Sequence, residues 1–334
     1  MAQQHMKVAV IVAVIVLGGV NLAGSPQAVA TDAANANCGL PNEGQIEASE
    51  VPAGTDAVDC DLVGRQLDLG DTVLTIPEPG SGVGISGDSP TGDNVEAIVE
   101  TAADGTLSFA DDASLPAGAP TSPYNTNGCD SDYKGAMKVW SLEGSFGISI
   151  GDGGQPAGGT QAQTAGALNA AGRTWTDETT PCKGTDQSLA PLVQSLGTTS
   201  YESDFHIVDG ESTCADRDGV STLDVGNLDG KDSDYVAMAC TWYDDDEFVI
   251  ESDIRMNTTN YDFTYAPEPG CNAYDVQSVI THEVGHTIGL KDKEGPVNAY
   301  QTMYHSSYLC KIFARNLGSS DLWHLRARYP IDPL

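Results

Sequence analysis

The stretch Asp275-Val276-Gln277-Ser278-Val279-Ile280-Thr281-His282-Glu283-Val284-Gly285-His286-Thr287-Ile288-Gly289-Leu290-Lys291-Asp292 decides how the chain reads. Val276, Val279, Ile280, Val284 and Ile288 recur at helical spacing, so a helix is expected over about Asp275 to Leu290, capped by Asn272 or Asp275. His282 and His286 stand one turn apart beside that apolar stripe, close enough to reach one cation from the same side. Glu283 lies next to them, angled toward a water on that cation rather than toward the cation itself. Gly289 follows where the helix must stop and turn, a position at which glycine adopts a left-handed conformation at little cost. Asp292, three residues on, is placed to return as a third, carboxylate ligand. Two nitrogens and one oxygen suit Zn2+ and leave its fourth position for water.

HEVGHTIGLKD resembles the extended metzincin motif, HExxHxxGxxH or HExxHxxGxxD. Thr302-Met303-Tyr304 resembles the Met-turn of that family, and Val249 to Asn257 is similar to the edge strand of matrixin-like bacterial peptidases. Asp321 to Tyr329 resembles their C-terminal helix. The resemblance implies a secreted zinc endopeptidase with an α/β (α+β) catalytic domain: a twisted mixed sheet, an active-site helix and a C-terminal helix, with a protein or peptide substrate aligned along Phe248 to Met256. It assigns His282, His286 and Asp292 to the metal and Glu283 to general-base catalysis. Most matrixin-like members carry histidine as third ligand; aspartate is the snapalysin choice. His305, just past Met303, is the rival for that place, and it occupies the offset at which astacins and serralysins carry a metal-proximal tyrosine, with Tyr304 adjacent. Asn37-Cys38-Gly39-Leu40-Pro41-Asn42 looks like a cysteine-switch sequence, although pairing of Cys38 with Cys60 is the simpler fate. Matrixins also commonly hold structural Ca2+, for which Asp216, Asp218, Asp224, Asp229, Asp232 and Asp234 offer oxygens without EF-hand spacing. A catalytically inactive zinc-binding or adhesive exoprotein is the alternative, against which an intact Glu283 argues.

The rest of the chain sets the frame. Lys7 followed by apolar Val8 to Leu17 and by Ala28-Val29-Ala30 reads as a signal peptide, residues 1–30, and no later segment is apolar enough to span a membrane. Eight cysteines without a C-x-x-C pair favour disulfides over a thiolate metal site, with Cys271 and Cys310 bracketing the HEVGH segment. A net charge of −33 excludes a nucleic-acid binder and disfavours anionic membranes. That charge fits a salt-rich setting or an ordinary acidic exoprotein equally, and the mature protein is expected to be a monomer. Residues 31–123 hold 17 acidic residues, one basic residue and one aromatic. So little large apolar surface implies a weakly structured segment or a small strand-and-turn module, with Thr72 to Ile76 and Ile98-Val99 as strand candidates, read as an acidic propeptide or accessory segment, or else an independent binding domain. The peptidase domain is expected over 124–334, with a helix at Gln161 to Trp175 and strands at Phe205 to Val208, Tyr235 to Trp242 and Phe248 to Met256.

Overall fold

The computed structural model describes residues 38–41, 43–90, 95–111, 128–129, 137–182, 189–215 and 217–330. The expected signal peptide and the expected start of the peptidase domain at Tyr124 lie outside them. The fold is mixed α/β. Strands β1 (Ile46–Glu47), β2 (Gln66–Asp68), β3 (Val73–Thr75), β4 (Ser81–Asp88), β5 (Val95–Thr101) and β6 (Leu107–Asp111) come first. After β7 (Ser145–Gly151), helix α1 (Gln161–Thr176) leads to the parallel neighbour β8 (Leu192–Thr199). Then follow β9 (Phe205–Val208), β10 (Glu211–Cys214), β11 (Thr222–Gly226), β12 (Ala237–Asp244) and β13 (Val249–Asn257). The short pair β14 (Phe263–Thr264) and β15 (Tyr274–Asp275) precedes α2 (Val276–Thr287), and α3 (Ser319–Arg328) closes the chain. Among the described residues no helix is long and apolar enough to cross a membrane.

An eight-stranded sheet of order β6-β5-β4-β12-β13-β11-β7-β8 forms the middle layer. Its β13-β11-β7-β8 half is parallel and its β6-β5-β4-β12-β13 half antiparallel. Because side chains alternate along a strand, β12 serves two cores at once. Ala237 and Ala239 face a core built with Leu168 and Trp175 of α1, Val279, Ile280 and Val284 of α2 and Leu325 of α3. Met238, Cys240 and Trp242 face a second core shared with a five-stranded sheet of order β1-β2-β3-β10-β9. The Cys214–Cys240 disulfide ties the two sheets together; Cys38–Cys60, Cys129–Cys182 and Cys271–Cys310 complete the pairing of all eight cysteines. Such pairing suits an oxidising, extracellular setting.

Two expectations are corrected. The acidic N-terminal segment is not weakly structured: its strands β4, β5 and β6 extend the main sheet, and Ile46, Leu67, Leu74, Val83, Ile85 and Val99 are buried. Its own apolar content is thin, but Phe205, Leu228, Met238 and Trp242 from later in the chain supply the missing half of the core. The second correction concerns β13. It is no edge strand, for β12 pairs along one side of it and β11 pairs with Ile254–Asn257 on the other.

Candidate metal centre

Helix α2 begins where Asp275 caps it, accepting from Ser278 N at 2.9 Å, an interaction worth about 1 kcal/mol. Its buried flank rests on α1, where the Trp175 indole donates to Thr281 O at 2.8 Å. Gly285 keeps the helix close to the turn carrying Met303: a Cβ there would stand 2.1 Å from the Met303 sulfur. At the far end Gly289 has φ +89 and lies against the main chain of Trp140, whose carbonyl oxygen a Cβ would meet at 2.3 Å. Both features demand glycine, and they turn the chain back so that Asp292 faces the helix.

His282 Nε2 and His286 Nε2 come within 3.0 Å of each other. Asp292 Oδ1 lies 3.1 Å from the first and 3.5 Å from the second. Each imidazole is oriented from behind: Nδ1 of His282 faces Thr302 O at 2.9 Å and Nδ1 of His286 faces Leu290 O at 3.0 Å. A carbonyl oxygen can only accept, so both Nδ1 atoms carry protons, and in its neutral form each ring presents a bare Nε2 lone pair to one point. Two lone pairs and a carboxylate oxygen converging in a buried space repel unless a positive charge lies among them. The protonation balance says the same. Burial alone would push His282 down, yet the carboxylates of Asp292 and Asp88 overcome it and lift the ring to about 10. Burial pushes His286 down to about 3, while the two imidazoles outweigh burial and hold Asp292 at about 2. The trio thus claims one positive charge, and a divalent cation fits the same demand. A tetrahedron built on ~2.05 Å bonds has edges of roughly 3.3 Å, close to the observed 3.0, 3.1 and 3.5 Å separations.

Glu283 is fully buried, and neither of its carboxylate oxygens has a hydrogen-bond partner among the described residues. Burial raises its proton affinity well above the ordinary carboxylate range. His305 is also buried but lies outside the metal-capable group formed by His282, His286 and Asp292; its ring stands edge-on to Tyr304 at 4.5 Å. A cavity of about 20 Å³ adjoins His282, walled by Val279, Tyr304, Tyr308 and Phe313.

The surrounding shell comes mostly from residues that the sequence did not single out. Glu96 of β5 accepts from Asp292 N at 2.9 Å and pairs with buried Lys138 at 3.0 Å, while Lys291 lies 3.7 Å away. Asp88 at the end of β4 accepts from Ser307 Oγ. Burial lifts the Asp88 carboxyl to about 6, against the pull of His282. Asp321, expected only as part of the C-terminal helix, is the organiser of the Met303 turn. Its carboxylate accepts from Lys293 Nζ at 2.6 Å, Thr302 N at 2.7 Å, Met303 N at 3.2 Å and Gly318 N at 2.8 Å. The two cations that these carboxylates hold, Lys138 and Lys293, are both buried, and the sequence carries no local signal of either pairing. Asp321→Ala is expected to lower the unfolding free energy by roughly 3–5 kcal/mol, because it strands the Lys293 charge in the interior. Urea denaturation measures this, and a loss below about 1 kcal/mol would place the order of the turn elsewhere.

A second acidic group joins Asp204, Asp218 and Glu251. Of the described aspartates considered for calcium, Asp218 alone belongs to it. Asp224 is engaged with Arg255 at 2.8 Å and with Ser203, and Asp216 lies outside the described residues. Asp253 is structural, accepting from Asp204 N at 2.7 Å and Thr222 N at 2.6 Å. Burial and then the neighbouring Asp204 raise Glu251 from 4.5 to about 7. The folded state therefore holds a proton that the unfolded chain releases above pH 4.5, so this group favours folding most at or below pH 4.5 and progressively less up to about pH 7. With chelator present, stability to urea should fall between pH 5 and 7, and Glu251→Gln should flatten that fall by roughly 2–3 kcal/mol. An unchanged slope in the variant would remove Glu251 as the cause.

The cysteine-switch reading is overturned: Cys38 is bonded to Cys60 and has no thiolate to offer. The expected Cys271–Cys310 staple is present, joining the approach to α2 with the loop beyond the Met303 turn. A scan against family profiles and a search of curated proteins each returned no match to this chain.

Proposed function

We propose that the chain is a secreted, zinc-dependent endopeptidase of the metzincin type, acting on protein or peptide substrates. The observation that carries this reading is the convergence of His282 Nε2, His286 Nε2 and Asp292 Oδ1, with the unpartnered carboxylate of Glu283 one residue from the first ligand. Two imidazoles and one carboxylate are a donor set that zinc favours over calcium or magnesium, which take oxygen ligands. A zinc ion held there supplies Lewis acidity, lowering the pKa of water toward ~7 and polarising a scissile carbonyl.

The protein supplies the rest. His282 and His286 are locked in one tautomer by Thr302 O and Leu290 O, so their Nε2 lone pairs need no reorganisation. Glu283 takes the proton of the attacking water and returns it to the departing amine. Its buried setting suits both transfers, since a carboxylate with raised proton affinity is a stronger base. Glu96 fixes the main chain at Asp292, and Asp321 fixes the turn whose Thr302 carbonyl orients His282.

Complete burial of Glu283 favours the rival reading, a zinc-binding exoprotein without turnover. Hydrolysis of unfolded casein, followed over hours with excess protein, separates the two. Cleavage stopped by chelator and restored by zinc is the expected result; a zinc-loaded chain that leaves casein intact would favour the rival.

A further inference from the structure

We infer that β4 occupies, within the chain itself, the place on β12 that an extended substrate strand would take, and so holds the peptidase latent. The inference rests on the peptidase reading above. Extended peptides are commonly bound by addition to a sheet edge, through main-chain hydrogen bonds. In the sheet built after residue 137, β13, β11 and β7 each lie between two strands, with β11 covering Ile254–Asn257 of β13, and β8 ends the parallel half. That leaves the outer edge of β12 as the one beside α2. It is filled along its whole length: β4 pairs antiparallel with it from Ser81↔Asp244 to Asp88↔Ala237.

The fit is close. On the face of β4 turned toward the helices, Gly82 lies against Tyr243 and Gly84 against Trp140, two rings stacked at 5.3 Å. A Cβ at Gly82 would stand 2.2 Å from the Tyr243 ring, and one at Gly84 would stand 2.5 Å from Trp140. On the same face Ser86 accepts from Lys138 Nζ at 2.7 Å. The strand then runs on toward the metal centre. Asp88 Oδ2 takes the Ser307 hydroxyl, and Ser89 O accepts from Ser307 N at 3.2 Å, in the loop that follows His305. With β4 seated, His282, Glu283 and His286 are each at most 2% exposed and Asp292 is 7% exposed, so no main chain of a substrate can reach them. Hydrolysis by the intact chain comes from the minor population in which β4 has left β12.

Valine at Gly82 or Gly84 collides with the aromatic wall only while β4 is seated. Such overpacking shifts the balance toward the open state by roughly 10- to 100-fold. Casein hydrolysis and zinc content are measured together for the full-length wild type, Gly82→Val, Gly84→Val and the double variant Gly82→Val/Tyr243→Ala. Gly84→Ala, whose single methyl meets the same ring, serves where valine prevents folding. The expected result is one zinc per chain throughout, a rate raised roughly 10- to 100-fold in the single variants, and a return toward the wild-type rate when Tyr243→Ala restores the space. Zinc-loaded wild type and folded single variants cleaving at equal rates would overturn the latency while leaving the peptidase standing. Zinc-loaded variants that cleave nothing would overturn the peptidase reading, and the latency with it.

Discussion

A chain carrying Glu283→Gln is expected to keep its zinc and to lose casein hydrolysis by roughly 10²- to 10⁴-fold, the usual contribution of a positioned general base. The side chain keeps its shape, so the packing around α2 and the convergence of His282, His286 and Asp292 are undisturbed. What disappears is the capacity to accept a proton. Burial matters to the size of the effect: Glu283 is fully buried and its carboxylate oxygens have no hydrogen-bond partner among the described residues, so its proton-accepting capacity is not shared through a hydrogen bond. Initial rates and elemental analysis on the same preparation separate lost chemistry from lost metal. A variant that hydrolyses casein at the wild-type rate would remove Glu283 from the proposed mechanism.

The second large effect is on the metal itself. Asp292→Ala takes away the one carboxylate oxygen that, among the described residues, lies within 3.5 Å of both imidazole Nε2 atoms. Loss of an outer partner behind a ligand already weakens metal binding by roughly 10- to 100-fold, so loss of the ligand should cost at least the upper end of that range. His305→Ala should weaken affinity far less than Asp292→Ala, because His305 lies outside the converging group and acts on Asp292 only through its charge. Competition of each variant with a zinc-sensitive dye measures both. Tight binding in Asp292→Ala with weak binding in His305→Ala would exchange the two roles.

Much of the helical half was legible because its signals are local. The apolar stripe of Val276, Val279, Ile280, Val284 and Ile288 is buried as read, and the helix ends at Thr287, just before Gly289. The helix at Gln161 to Trp175 is observed as Gln161–Thr176, and Phe205–Val208 is a strand. In the Asp244 to Glu247 run, Asp244 ends β12 and Asp245, Asp246 and Glu247 form the exposed turn to β13, because clustered carboxylates stay solvated. In the N-terminal half the short apolar runs Thr72 to Ile76 and Ile98-Val99 were legible, the first containing β3 and the second lying in β5, but the rest was not, and β4 shows why. Ser-Gly-Val-Gly-Ile-Ser-Gly-Asp has few β-formers, and glycine weakens a strand unless another backbone or ring must come close. The reason for those glycines is Tyr243 and Trp140, which lie far along the chain and leave no trace in the local pattern.

The site shows the same division. His282, Glu283, His286 and Asp292 could be found because a helix turn and a glycine stop fix their spacing within a few residues. Glu96 could not: it reaches Asp292 N across 196 residues of sequence, from a strand that carries no motif. Asp321 could be assigned to a helix but not to the Met303 turn, since nothing in the sequence pairs it with Lys293 and Thr302. β13 was misplaced at an edge because strand order is a property of pairing, and the strand that covers β12 comes from the segment judged too poor to fold.

Diffraction from crystals of the zinc-loaded chain, recorded on either side of the zinc absorption edge, tests the metal centre most directly. The expected result is one strong anomalous peak among His282 Nε2, His286 Nε2 and Asp292 Oδ1. A peak instead among Asp204, Asp218 and Glu251, or no peak at the two histidines, would contradict it.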